Sequence, residues 1–293
     1  MSRWIAADWG TTRLRLTLMD DATPVDTRQS DDGMNRLTQD LFEPTLRMLA
    51  GDWLDGPAKI VACGMVGARQ GWIEAPYAPV PCSPPTDRPI RVPTDDPALD
   101  VRIVPGLSQT SPHPDVLRGE ETQIAGILRR HAEFDGVVCL PGTHTKWAHV
   151  SAGEIVSFRT VMTGEIFAML AGQSVLRHSL AGAGWSEAPF LDALSDAISR
   201  PEVLTARLFE LRAADLLLGQ DDTTARSILS GLLIGAELAA TKPWWLGREV
   251  IVTGSETTTP AYVAALQAQG LRPIVLPADD MTRAGLASAR EAS

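Results

Sequence analysis

The chain has 293 residues and carries 26 Lys and Arg against 36 Asp and Glu, a net charge of −10. That balance argues against nucleic acid or an anionic membrane as partner, both of which call for a basic face, and no run of about 18 apolar residues offers a membrane span. With 44% hydrophobic residues, three scattered cysteines (Cys63, Cys82, Cys139) and no signal-peptide pattern, the sequence predicts a cytoplasmic enzyme or binding protein without disulfides, of one large domain or two medium ones.

Strands are predicted at Arg3–Asp8, Arg13–Met19 and Val25–Ser30, a meander at the N-terminus. The first is apolar and ends in Asp8, and the turn Gly10-Thr11-Thr12 follows. Closely spaced N–H groups and two hydroxyls suit phosphate oxygens, and Asp8 at the strand end is placed to hold magnesium. A plain hairpin, with Gly supplying positive φ and Asp as turn former, explains the same residues. A helix follows, with Leu37, Leu41 and Met48 at helical spacing and a kink expected at Pro44. Next come strand Lys59–Ala62 and a loop punctuated by glycine, Gly64–Trp72. Eight prolines from Pro76 to Pro97 exclude a central strand or helix there. Strand Val101–Pro105 ends the first half. The break at Ser108–Asp115 is the expected boundary, giving domains 1–115 and 116–293.

The second half opens on Gly119-Glu120-Glu121-Thr122 and a helix carrying Ile124, Ile127 and Leu128. Buried strand Gly136–Leu140 leads into Pro141-Gly142-Thr143-His144-Thr145-Lys146-Trp147. Strands Trp147–Ser151 and Glu154–Val161 are predicted to form a hairpin around Ala152-Gly153. Helices occupy Gly164 to Ala239, broken at Ala181–Gly184, with Pro201 at a helix start and Ile228, Leu229, Leu232, Leu233 and Ala236 turned inward. The chain ends with strand Glu249–Thr253, the turn Gly254-Ser255, a helix from Pro260 to Gly270, strand Pro273–Leu276 and a helix around Arg283–Arg290. Trp244 and Trp245 suit either core packing or an interface, so self-association is left open.

No sequence repeats, but an architecture does. Each half holds a strand, a Gly-Thr turn and another strand, so Gly142-Thr143 stands where Gly10-Thr11-Thr12 stands. Two such loops suit the grip of a triphosphate from both sides. The third turn, Gly254-Ser255, suits close approach of backbone to a ribose or adenine.

This order of elements resembles the actin, sugar-kinase and heat-shock-chaperone ATPase superfamily. Within it, the strings DWGTTRLRL, GMVGARQGW, RGEETQ, PGTHTKW, FRTVMTGE and SGLLIGAE resemble the 2-dehydro-3-deoxygalactonokinases across nearly the whole chain. The resemblance implies an α/β fold of two actin-like (ribonuclease H-like) lobes with ATP in the cleft between them. It implies ATP and Mg²⁺ as cofactors and a small sugar acid as substrate, phosphorylated on its terminal hydroxyl. Asp8 is then the magnesium residue. Gly10, Thr11, Thr12, Gly142 and Thr143 meet phosphates, and Gly254 and Ser255 meet the adenosine. Lys146 is a candidate for the transferring phosphoryl or the substrate carboxylate. Related carbohydrate kinases place an Asp after a Gly at a helix start shortly before the second phosphate loop. Glu120 stands there as the candidate general base, with Glu121 as its rival. A carboxylate substrate calls for an Arg fork, for which Arg15, Arg69 and Arg159 are candidates. Glu165 is a candidate for sugar hydroxyls.

Three alternatives stand beside this reading. They are a kinase of another sugar acid or an anhydrosugar on the same fold, a phosphate-polymer hydrolase, and a non-catalytic ATP-responsive regulator.

Overall fold

The structure, a computed structural model, describes residues 3–84 and 89–292, so residues 85–88 of the proline-rich stretch lie outside it. The residues form two compact units. One comprises the described residues up to Asp135, Val150–Phe158 and those from Pro277 on; the other comprises Gly136–His149 and Arg159–Leu276.

The first unit begins with β1 (Arg3–Trp9), β2 (Leu14–Asp20) and β3 (Thr23–Ser30), the predicted meander. Helix α1 (Phe42–Ala50) follows. Its inward face is Phe42, Leu46 and Ala50, whereas Leu41 is 42% and Met48 72% exposed. The expected helical spacing of Leu37, Leu41 and Met48 therefore does not mark the inward face: Leu37 packs on the core ahead of the helix, and Leu41 and Met48 point outward. Pro44 produces no break in α1, because it sits in the first turn, where a missing N–H costs no intrahelical bond. Then come β4 (Ala58–Gly64), β5 (Tyr77–Pro79), β6 (Ile90–Arg91), β7 (Leu99–Ile103), β8 (Gly106–Gln109), β9 (Asp115–Leu117) and α2 (Glu120–Arg130). The main sheet has the order β3-β2-β1-β4-β7-β6; β1 pairs antiparallel with β2 and parallel with β4. Residues 108–115, read from the sequence as a break, join β8 to β9 in an antiparallel pair.

The remaining elements are β10 (Gly136–Leu140), β11 (Thr145–Ser151), β12 (Glu154–Val161), α3 (Thr163–Gln173), α4 (Glu187–Ser199), α5 (Leu204–Leu218), α6 (Asp222–Ala240), α7 (Lys242–Trp245), β13 (Val250–Val252), α8 (Thr259–Ala268) and β14 (Ile274–Val275), all of the second unit except the stretch Val150–Phe158 at the end of β11 and in β12. These strands form a sheet of order β12-β11-β10-β13-β14, with β10, β13 and β14 mutually parallel. As in the first unit, the opening strand lies between a hairpin partner and a parallel strand. The β11–β12 turn has Ala152 at φ 52° and Gly153 at φ 77°, the positive pair that a two-residue hairpin turn requires. Val137 and Cys139 of β10 pack with Phe190 of α4, Ile234 and Leu238 of α6 and Leu266 of α8.

The last helix, α9 (Ala278–Glu291), belongs to the first unit. Alternation along β1 decides the layers of that unit. Ile5, Ala7 and Trp9 face Phe42 and Leu46 of α1, while Trp4 and Ala6 face Leu286 and Ala287 of α9. Covered on both faces, the strand reads as an unbroken apolar run rather than an alternating one. Among the described residues, no helix is long and apolar enough to cross a membrane.

Candidate active site

In the first unit, Asp8 lies one residue before the end of β1, opposite Arg15 on β2 and beside Cys63 on β4. The turn after it is closed by Gly10 N–H to Arg13 O at 2.9 Å. Met34 N–H to Gly10 O and Asn35 N–H to Thr11 O, both at 3.0 Å, hold it from outside. Thr11 and Thr12 are exposed. The start of α2 comes close to the end of β1 because two glycines allow it. Gly64 has φ 89°, and a Cβ there would stand 2.8 Å from Trp9 O. Gly119 has φ 107°, with a Cβ position 3.3 Å from the Gly64 Cα.

Glu120, half-buried at the first position of α2, accepts the Arg118 main-chain N–H at 3.0 Å. Glu121 is 1% exposed; its carboxylate accepts the Gly119 N–H at 2.7 Å and the Thr122 hydroxyl at 2.9 Å. Burial, reinforced by the neighbouring Glu120 charge, pushes the Glu121 carboxyl up to about 8. Burial also raises Asp8; Arg15 opposes this, while Asp279 and Glu120 add to it. Asp8 thus lies within the fields of two further carboxylates, Glu120 and Asp279, and of one cation, Arg15. That surplus of negative charge fits a bound divalent cation. Among the described residues, no group of three or more His, Cys, Asp or Glu forms a metal centre. A magnesium ion held by one carboxylate and phosphate oxygens requires none.

Arg15 forms an ion pair with Asp279 in the first turn of α9. Arg69 is exposed and pairs with Glu74 at 3.4 Å. Sequence reasoning passed over a fourth arginine, Arg118. It is 9% exposed, lies 4.3 Å over the Tyr77 ring and donates to Ala75 O at 2.8 Å, tying the segment after Gly67 to the start of α2.

In the second unit, the Gly142–Thr143 turn meets the start of α3. A Cβ on Gly164 would stand 2.2 Å from Gly142 O, so only glycine allows this approach, and Glu165 N–H donates to Thr143 O at 2.9 Å. The Glu165 carboxylate also meets His144 Nε2 at 2.5 Å, so Glu165 is engaged with the turn itself. Lys146 is 5% exposed, its Nζ 3.4 Å from His144 O. Arg159 is exposed on β12. Gly254 lies against Pro141, and Ser255 Oγ bonds Thr257 and Thr258 hydroxyls at 2.8 and 2.9 Å in the turn that opens α8.

A cavity of about 630 Å³ opens in this unit. Gly142 and Thr143 line one part of it and Thr257, Thr258 and Pro260 another. Its walls include Phe167, Trp185, Arg226 and Ser230, none of them anticipated from the sequence. The size and the mixture of apolar walls with a few polar groups suit a nucleoside-sized ligand. Gly254 and Ser255 are not among the lining residues; the threonines two and three positions after Ser255 are. No local pattern marks Trp185 or Arg226, because they reach the cavity through the packing of helices distant in sequence.

The paired sheets define an α/β protein of the actin-like ATPase and sugar-kinase class. The dehydratase component A of Acidaminococcus fermentans shares this fold at TM-score 0.55 and 13% identity, covering 100% of this chain and 99% of that one. The chain belongs to the 2-keto-3-deoxy-galactonokinase family, whose pattern matches residues 8–289. It is 38% identical over 298 residues to a protein of Rhizobium meliloti (strain 1021) named a probable 2-dehydro-3-deoxygalactonokinase, covering 99% of this chain and 97% of that one. It is 35% identical over 297 residues to the 2-dehydro-3-deoxygalactonokinase of Escherichia coli (strain K12), covering 98% and 97%. A crystal structure of a Sinorhizobium meliloti protein assigned to the same activity superposes at TM-score 0.91, with 37% identity and coverage of 99% and 98%. The protein is a kinase of this family.

Proposed function

We propose that the protein transfers the γ-phosphoryl group of ATP to the terminal hydroxyl of 2-dehydro-3-deoxy-D-galactonate. The products are the 6-phosphate and ADP, in the cytoplasm, as a step of galactonate catabolism. The observation that carries the catalytic assignment is the contrast between the paired glutamates. Glu121 is buried and turned back onto Gly119, whereas Glu120 is half-exposed and its charge helps to raise Asp8. Glu120 is therefore the general base: it accepts the proton of the sugar hydroxyl as that oxygen attacks the γ-phosphorus and the bond to the bridging oxygen of ADP breaks.

Each unit brings its own chemistry. The second unit's cavity takes the nucleoside, with Gly254 and Ser255 shaping the turn behind Thr257 and Thr258, and Gly142, Thr143 and Lys146 serving the phosphates. In the first unit Gly10, Thr11 and Thr12 serve phosphates through main-chain N–H groups and hydroxyls. Asp8 would hold magnesium, which would supply neutralisation of the phosphate charge. Arg159 and Arg15 serve the substrate carboxylate and Glu165 its hydroxyls. Arg15 and Glu165 would then exchange their present partners, Asp279 and His144, for substrate.

The test is ADP release, measured over a panel of sugar acids and neutral hexoses. Preference for 2-dehydro-3-deoxygalactonate is the expected result. Comparable turnover of glucose or galactose would overturn the substrate assignment.

A further inference from the structure

The string Ser230–Glu237 (SGLLIGAE) ends in a residue to which the reaction above gives no role. Glu237 is 2% exposed on α6. Its Oε1 accepts the Trp147 indole N–H at 2.7 Å; its Oε2 accepts the Tyr262 hydroxyl at 2.8 Å and also the Thr163 hydroxyl. The Tyr262 oxygen in turn lies 2.7 Å from Thr145 Oγ1. The donors come from β11, α3 and α8. The titratable groups against this carboxylate are Tyr262 and Cys139, both held neutral by burial. Desolvation raises the Glu237 carboxyl to about 6, while the three donors that converge on its two oxygens favour the ionised, acceptor-only form.

A buried carboxylate is an expensive way to fill a core, and an apolar side chain of similar volume often stabilises as well or better. What distinguishes this network is where its donors stand. Thr163 and Tyr262 both line the cavity. Thr163 precedes Gly164, which abuts the Gly142–Thr143 turn, and Thr145 is the first residue of the strand leaving that turn. One acceptor therefore joins the turn, the start of α3 and the α8 wall.

We propose that Glu237 is a positioning residue for the nucleotide. It holds the Gly142–Thr143 turn and the Tyr262 wall in fixed register, so that phosphates and nucleoside are bound together. The inference rests on the reading of this cavity as the ATP site.

Glu237→Gln keeps shape and size but puts an amide N–H₂ where one acceptor oxygen stood, so the Thr163 and Tyr262 hydroxyls must turn from donating to accepting, which shifts the register of the network. Removal of the buried charge spares the fold its desolvation cost. In the full-length protein the midpoint of thermal unfolding should therefore stay level or rise. The Kd for Mg·ATP and ADP by titration calorimetry should rise about tenfold or more, and kcat at saturating ATP should change only a few-fold. Tyr262→Phe, which deletes a single donor, should weaken nucleotide binding in the same direction. A parent protein that binds no ATP or ADP overturns the reading of the cavity and the inference with it. Parent binding matched by both variants overturns the positioning role alone. So does a loss of affinity accompanied by an equal loss of thermal stability, which would make Glu237 an element of the core and nothing more.

Discussion

The Glu121 carboxylate turns back to accept the Gly119 main-chain N–H at 2.7 Å, at the point where Gly119 takes φ 107°. That contact faces Glu121 into the protein and fixes the left-handed residue from which α2 starts. Two adjacent glutamates thereby differ in burial and in partners.

The first prediction separates them by rate. Glu120→Gln keeps size but accepts no proton, and loss of a placed base costs about 10²–10⁴ in rate, roughly 3–5.5 kcal/mol. Single-turnover measurements should show this with the nucleotide Kd nearly unchanged. Glu121→Gln should retain most of the rate. A dead Glu121→Gln beside an active Glu120→Gln would reverse the assignment.

A second prediction uses stability. The folded-state pKa of Glu121, about 8, lies above its ordinary value of 4.5, so folding takes up a proton between those values. The parent protein should lose stability relative to Glu121→Gln as pH rises through that window, with the difference levelling off above pH 8. Its full size is on the order of 3–5 kcal/mol. Urea unfolding of both proteins at pH 5.5 and 8.5 measures it. A difference that does not grow with pH would mean that Glu121 is ionised in the fold.

Asp8→Asn tests the metal. An amide is a poorer ligand for a hard cation than a carboxylate, so the magnesium concentration for half-maximal rate should rise about tenfold or more. The fold, followed by circular dichroism, should persist. A magnesium titration that matches the parent would leave Asp8 as a turn residue only.

Gly164→Ala tests the packing of α3 on the second turn. The added methyl would stand 2.2 Å from Gly142 O, so the backbone must move. A stability loss of about 1–3 kcal/mol and a raised KM for ATP are expected. An unchanged KM would separate the turn from nucleotide binding.

The longer strands and both Gly-Thr turns were legible because apolar runs bounded by turn residues carry their own signal, whereas the short strands β5, β6, β8 and β9 in the proline-rich stretch and the expected break were not. The repeat of strand, turn and strand in each half appears as matched sheet orders. Long-range partners were not legible. Nothing near Arg15 in the chain foretells its ion pair with Asp279, 264 residues away. Glu237 lies on α6 among apolar neighbours, and nothing local marks it as buried, since charged side chains are rarely buried unpaired. Its donors Thr163 and Trp147 lie 74 and 90 residues distant. The face of α1 was misread because Leu37 and Leu41 precede the helix, so their spacing belonged to no single element.

The measurement that bears most directly on the central claim is phosphorus-31 and carbon-13 magnetic resonance of the reaction with ATP, magnesium and 2-dehydro-3-deoxygalactonate. The account predicts a single phosphomonoester on the terminal carbon, formed in step with ADP. Free phosphate with unmodified sugar acid, or no ATP consumption at all, would contradict it.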